Sequence, residues 1–117
     1  MVILRVWSAK IVPARLEQYR RFEQERYMPM LRKQAGFLGV LFLRQAEGHA
    51  ASFTIWEDVG AVEALQRSRS YWETAHELAE GALLVGDQAV EIFEVEGGIL
   101  RPEALVRALR RICHAGS

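Results

Sequence analysis

Three side chains with chemical potential lie at every second position of one apolar run. Ser52, Thr54 and Trp56 alternate within residues 51–57, and alternate side chains of a strand share one face of its sheet. Hydroxyl and indole N–H groups on such a face can donate hydrogen bonds to a developing oxyanion. The pattern predicts a partly polar wall of a ligand pocket.

Two further candidates follow in the next helical pattern. Tyr71 offers a phenolic hydroxyl, and His76 offers an imidazole, which titrates near neutral pH. We expect His76 to be partly buried on a helix face beside apolar neighbours, where it could serve as a general base. Structural interpretations compete with these roles. His76 could bond a backbone carbonyl or solvent, and Trp56 could be a core anchor.

Aromatic residues elsewhere could complete the pocket. Trp7 on the first strand could wall a flat aromatic ligand together with Trp56 and Phe53, and Phe22 on the first helix is a further substrate-binding candidate. The helical spacing of Tyr19, Phe22, Tyr27 and Met30 indicates core residues first and pocket lining second. Arg5 fits either an anion-binding residue or a charge on a strand edge, and the second interpretation is favoured.

Composition excludes several classes of protein. The chain has 117 residues, half of them hydrophobic, and 15 basic residues balance 15 acidic ones. We therefore expect no affinity for nucleic acid or membrane. Cys113 is the only cysteine, and the three histidines are scattered, so we assign no metal site. Arg5 and Lys10 interrupt the apolar start, so we expect no leader or membrane span and a cytoplasmic location.

The first half of the chain reads as strand, helix and strand. Residues 2–12 have apolar side chains at both even and odd positions, which indicates a strand covered on both faces. Helical spacing follows from Pro13 to about Gln34, and Pro29 predicts a kink or an end near Tyr27 or Met28. Residues 37–45 form the next strand, and a loop containing Gly48 predicts a hairpin to residues 51–57.

The second half reads as helix and strand. Asp58 can cap a short helix that breaks near residues 68–70. Ser70 and Glu73 match the capping box that opens a second helix toward Gly81. With a last strand at 89–95, the order is βαββαβ, an α+β ferredoxin-like fold with an antiparallel sheet.

The predicted ferredoxin-like domain spans residues 1–96, and a tail follows it. Residues 97–117 carry one apolar stripe containing Leu105, Leu109, Ile112 and Cys113, with arginines mostly elsewhere. We expect an appended amphipathic helix that packs across a dimer, with Cys113 as a small apolar side chain at that contact. A contact with anionic lipid or nucleic acid is the less favoured alternative.

The chain resembles the antibiotic biosynthesis monooxygenase family of dimeric α/β barrels. The resemblance lies in Pro29 to Gly36-Phe37-Leu38-Gly39, in Phe53 to Asp58, and in Ser68 with Tyr71. It covers roughly residues 1–96. It implies that two subunits join their sheets into a barrel and that each holds a ligand pocket between helices and sheet. A homodimer would also explain strands that are apolar on both faces.

The resemblance implies specific site residues. Cofactor-free members resemble this chain at Trp56 and place a basic residue near His76, but their Asn and Tyr correspond here to Ser52 and Val62. Heme-degrading members use an Asn, a Trp and a His, whose places fall on Val6, Leu65 and His76. Two of those three residues are missing, which disfavours the heme interpretation.

Three functions remain open. The first is a monooxygenase without a cofactor, which acts on a small aromatic substrate of phenol or quinol type. Its expected catalytic residues are His76 and Trp56. The expected substrate-binding residues are Ser52, Thr54, Tyr71, Trp7 and Phe22. The second is a homodimer that binds a small aromatic ligand without catalysis, and the third is heme binding or degradation.

Overall fold

Four antiparallel strands form one sheet, and the main helices pack on one of its faces. The computed structural model describes residues 1–115, with side chains through Ile112. The strands are β1 (Ile3–Ile11), β2 (Phe37–Arg44), β3 (His49–Trp56) and β4 (Leu84–Glu94), in the spatial order β2-β3-β1-β4. Two helical segments connect them in the sequence order βαββαβ. The predicted ferredoxin-like fold is confirmed.

The first helical segment changes its winding before Pro29. A 3₁₀ turn (Pro13–Arg15) leads into α1 (Leu16–Phe22), a π-helical turn (Glu23–Tyr27) and α2 (Met28–Arg32). Of the kink or end predicted near Tyr27 or Met28, the structure has no end, because the chain continues as α2, but the winding does change there: the π-helical turn ends at Tyr27 and α2 begins at Met28. Pro29 lies in the first turn of α2, where its missing amide proton is tolerated.

The second helical segment consists of α3 (Val59–Gln66) and α4 (Arg69–Glu80). Asp58 caps α3 as predicted, since its Oδ1 accepts from the Ala61 amide at 2.9 Å. The predicted capping box at Ser70 is wrong. Ser68, whose backbone is extended, caps α4 by accepting from the Tyr71 amide, and Ser70 already lies inside the first turn.

Helices α1–α4 pack against one face of the sheet and leave apolar side chains of the other face uncovered. Along β1, the side chains at odd positions from Ile3 to Ile11 point toward the helices and are buried. Along β3, Ala50, Ser52, Thr54 and Trp56 do the same. The opposite face, which we call the open face, carries apolar side chains that helices α1–α4 leave uncovered. They include Leu4, Val6, Leu41, Leu43, Phe53, Ile55 and Phe93.

The tail forms α5 (Pro102–Ala115), which confirms the appended helix. Leu105 is partly buried, whereas Ile99 and Ile112 are exposed. The predicted contact of Cys113 lies outside the described side chains. None of the helices in residues 1–115 is long and apolar enough to cross a membrane.

Candidate active site

A small cavity lies between the sheet and the helices, where the chain brings its aromatic residues together. Strand β1, helix α4 and the segment from α1 to α2 supply most of its wall. The principal lining residues are Arg5, Trp7, Phe22, Tyr27, Met30 and Tyr71. The floor is buried, whereas Tyr71 and Ala75 on α4 are partly exposed and Gln88 on β4 is exposed. The mouth of the cavity therefore lies between α4 and β4.

Local structure explains how these rings converge. Strand alternation places Arg5 and Trp7 on the face that the helices cover. The π-helical turn begins directly after Phe22 and ends at Tyr27. It brings the rings of Phe22 and Tyr27 edge to face, with their centroids 6.4 Å apart. Turns of this kind occur often at functional sites.

Hydrogen bonds hold the polar groups of the cavity. Nη2 of Arg5 donates to the hydroxyl of Tyr71 at 2.9 Å. Nε1 of Trp7 donates to Oε1 of Gln88 at 2.7 Å. The Tyr27 hydroxyl lies 3.3 Å from Oγ of Ser52. Burial raises the pKa of Tyr27, so its hydroxyl stays protonated at neutral pH and can donate a proton in a hydrogen bond.

The cavity is narrow. Its volume is about 30 Å³, which is the space of roughly one water molecule, whereas a cavity of about 150 Å³ holds benzene. An aromatic ligand therefore requires side chains to move. Met30 is flexible and Phe22 is partly exposed, so these two side chains can yield.

The predicted substrate-binding residues divide into two groups. Trp7, Phe22 and Tyr71 line the cavity. Ser52 and Thr54 are buried one step behind its wall. The Ser52 hydroxyl contacts Tyr27, and the Thr54 hydroxyl donates to the backbone carbonyl of Arg5 at 3.3 Å.

Trp56 lies in the core beside the cavity and does not line it. Its side chain is fully buried among Ile3, Leu31 and Leu65, and Phe37 meets it edge to face with centroids 5.6 Å apart. Its indole N–H donates to the Thr54 hydroxyl at 2.8 Å. The donor that a catalytic role requires is thus already engaged within the protein.

The predicted position of His76 is wrong. Its side chain is 72% exposed, and Nε2 lies 3.0 Å from a carboxylate oxygen of Glu80. Thr74 and Leu78 form the buried face of α4. Two residues along a helix rotate the side chain by about 200°, so His76 points away from the sheet. Within residues 1–112, no three metal-ligating side chains converge either.

Most of the other residues that line the cavity were not predicted as site residues. Tyr27 and Met30 were assigned first to the core and second to the pocket lining, and none of Thr74, Ala75, Leu78 and Gln88 was predicted as a site residue. Arg5 was interpreted as a strand-edge charge, but β1 lies between β3 and β4, and Arg5 is only 3% exposed. Its place between Ile3 and Trp7 on one strand face was the signal that could have located it.

A larger depression of about 650 Å³ lies at one end of the sheet. Its lining includes Ser8, Lys10, Leu43 and Ala51 of the open face. It is broad and open to solvent, and it could become an enclosed pocket only if another molecule covered the open face. The cavity beneath the helices is therefore the better candidate for a small-molecule site.

Comparison with known proteins places the fold. No family model matches the chain, and no curated protein matches its sequence. The monooxygenase ActVA-Orf6 of Streptomyces coelicolor, solved in complex with nanaomycin D, matches 84% of this chain and 90% of its own, with a TM-score of 0.73 at 18% identity. The chain has the fold of the antibiotic biosynthesis monooxygenases.

Two further solved structures agree. SnoaB of Streptomyces nogalater, a cofactor-independent oxygenase, matches 84% of this chain and 96% of its own at 17% identity, with a TM-score of 0.65. An antibiotic biosynthesis monooxygenase matches 83% of this chain and all of its own at 14% identity, with a TM-score of 0.67. The resemblance predicted from the sequence is confirmed for the fold. Sequence identities this low support a shared fold and do not by themselves support a shared function.

Proposed function

We propose that this protein is a monooxygenase that oxygenates a small aromatic substrate of phenol or quinol type without a bound cofactor. The observation that carries the proposal is the cavity between helices and sheet, whose wall contains the rings of Trp7, Phe22, Tyr27 and Tyr71. Flat aromatic walls suit a flat aromatic substrate. Its fold neighbours SnoaB and ActVA-Orf6, an oxygenase and a monooxygenase, support the same chemistry.

The proposed reaction balances with oxygen as the only co-substrate. A phenol loses its hydroxyl proton, and the anion passes one electron to O₂. The two radicals combine, which forms a carbon–oxygen bond at a ring carbon. The O–O bond then breaks as that carbon loses its proton, so that one oxygen atom stays as a quinone carbonyl and the other leaves as water. The protein must bind the ring, favour the anion and exclude bulk water.

Oxygen uptake tests the proposal. Purified protein is assayed with a panel of hydroquinones, naphthols and anthrones, against autoxidation without protein. We expect saturable uptake and one atom of ¹⁸O in each quinone. Tyr71→Phe, which removes a cavity hydroxyl, should slow uptake, whereas the exposed control Trp72→Phe should not. Uptake no faster than autoxidation across the panel contradicts the proposal.

A second candidate function is ligand binding without catalysis. None of the side chains that line the cavity, all of which are described, is an aspartate, glutamate or histidine. The cavity thus lacks the usual general bases. Binding of the aromatic panel without oxygen uptake would favour this candidate. The heme interpretation relied on His76, which lies on the solvent side of α4.

The proposed active form is a homodimer joined through the open face. Phe53 lies at its centre, beside Val6 and Leu41 on the neighbouring strands. An uncovered apolar face of this kind is typical of an interface. We expect Phe53→Asp to yield monomer or unfolded protein in sedimentation experiments. The control Val59→Asp changes an exposed residue at the start of α3 and should leave the dimer intact. A monomeric wild type contradicts this proposal.

A further inference from the structure

Arg5 is a buried cation in the middle of the sheet. It lies on the central strand β1, its side chain faces the helices, and it is only 3% exposed. A guanidinium stays charged at any physiological pH. A buried charge normally requires an opposite charge and a full set of hydrogen bonds.

The protein supplies only part of what this cation requires. Nη2 donates to the Tyr71 hydroxyl, and the guanidinium lies 5.5 Å from the centroid of the Tyr71 ring. Nε is buried and has no acceptor among the described residues. No described carboxylate lies within 4.0 Å of Arg5. Tyr71 offers a hydroxyl and not a carboxylate, so the side chains that the structure describes supply no counter-charge within that distance.

Another arginine near the core, Arg44, has the carboxylate partner that Arg5 lacks among the described residues. Its guanidinium forms an ion pair with the buried carboxylate of Glu23, with Nη2 and Oε1 2.5 Å apart. Arg44 does not line the cavity beneath the helices, whereas Arg5 does. Of these two arginines, the one without a carboxylate is therefore the one that lines this cavity.

We propose that this cavity binds its aromatic ligand as an oxygen anion held by the guanidinium of Arg5. The planar fork of arginine fits a carboxylate or a phenolate, and the rings of Trp7 and Tyr71 would hold the attached aromatic system. The inference rests on the proposed function for the location of its site and names the substrate class: aromatic compounds that carry an ionised oxygen.

The inference also explains how a cavity without a general base could activate a phenol. The positive charge of Arg5 lowers the pKa of a bound phenol, because an adjacent cation favours the charged form. The hydroxyl proton passes to solvent as the phenolate binds. The anion that remains is the species that passes an electron to oxygen. Arg5 would thus take the place that sequence reasoning assigned to His76.

Binding under anaerobic conditions tests the anion site separately from turnover. The probes are 2-naphthoate and its neutral relative 2-naphthalenemethanol, with dissociation constants measured by calorimetry. We expect wild type to bind the carboxylate about 10- to 100-fold more tightly, the range of a charge-assisted hydrogen bond. Arg5→Met should abolish this preference and leave the affinity for the alcohol nearly unchanged. Arg32→Met removes an exposed positive charge and should preserve the preference.

The melting temperature of Arg5→Met shows whether the variant folds and how stable it is. If the guanidinium serves a ligand, Arg5→Met removes an uncompensated buried charge and its melting temperature should not fall below that of wild type. A lower melting temperature would assign Arg5 to the architecture and overturn the inference. Equal affinity of wild type for both probes would overturn it as well.

The two proposals can fail independently. Carboxylate preference that depends on Arg5, together with no oxygen uptake from any phenol, supports the anion site and contradicts the oxygenase. Oxygen uptake that is unaffected by Arg5→Met supports the oxygenase and overturns the anion site. A bound 2-naphthol whose absorption is that of the naphtholate below its free pKa, in wild type and not in Arg5→Met, supports the anion site, and oxygen uptake from the same naphthol that depends on Arg5 supports both proposals.

Discussion

Replacement of Trp56 by phenylalanine separates a core role from a catalytic one. Trp56 is fully buried and packs against Phe37, and its indole N–H donates to Thr54. Truncation of a buried Trp to alanine costs about 3–5 kcal/mol. Phenylalanine keeps one ring, so the expected loss is one hydrogen bond and part of the packing, about 2 kcal/mol in total. For a chain of this size, that loss lowers the melting temperature by roughly 8 °C.

The other two tryptophans are matched controls. Trp72 is 58% exposed and donates to the carbonyl of Gln66, so Trp72→Phe should change neither melting temperature nor activity appreciably. Trp7 lines the cavity and donates to Gln88, so Trp7→Phe should weaken binding of aromatic ligands. Three identical chemical changes thus have three different expected outcomes.

Thermal unfolding and oxygen uptake give the two readouts. Melting temperatures are compared at one protein concentration, because dimerisation would make them depend on concentration. Uptake is measured well below the lowest melting temperature. We expect Trp56→Phe to retain its activity per folded molecule. An unchanged melting temperature with lost activity would refute the assignment of Trp56 to the core.

Three further predictions follow from the same contacts. His76→Ala should change stability by less than about 0.5 kcal/mol and leave oxygen uptake intact, because the side chain is exposed; lost uptake would return His76 to the site. Gly36→Ala should destabilise the protein by roughly 2 kcal/mol or more in urea, because Gly36 has a φ of 79° and a new Cβ would lie 2.5 Å from that of Ala61. Gly97→Ala, which meets no atom within 4 Å, is its control and should be neutral. Burial raises the pKa of Glu23 against the opposing effect of Arg44, so ionisation of Glu23 costs the folded state stability as pH rises above the unfolded value. The unfolding free energy of Glu23→Gln relative to wild type should therefore increase between pH 4 and pH 8, and a decrease would contradict the assigned direction.

Periodicity along the chain was sufficient to predict the fold. Alternation in residues 51–57 correctly placed Ser52, Thr54 and Trp56 on one face of a strand, because neighbouring side chains of a strand always point to opposite sides. Helical spacing, together with an Asp58 side chain able to cap a first turn, located the second helical segment. These features depend on backbone geometry over a few residues, which the local sequence specifies.

Errors arose where a side chain's environment depends on distant segments. Arg5 and Lys10 belong to the same strand, yet Arg5 is buried and Lys10 is exposed. Strand alternation puts Arg5 on the face of Ile3 and Trp7, but only the spatial order of the strands shows that β1 lies between β3 and β4, so that Arg5 is buried beneath the helices and is not an edge charge. His76 was assigned to the wrong side of α4 because its neighbours are apolar on both sides, and only packing of Thr74 and Leu78 against the sheet sets the phase of that helix.

The sequence by itself determined the order of strands and helices, the residues that share each strand face, and the presence of an appended helix. The tertiary structure decided which of those residues meet in one cavity. It placed Trp7, Phe22 and Tyr71 around the guanidinium of Arg5, which has no carboxylate partner among residues 1–112, and it left Trp56 in the core and His76 in solvent. Local elements follow from short-range backbone preferences, whereas a site requires long-range pairing and packing to bring distant side chains within contact.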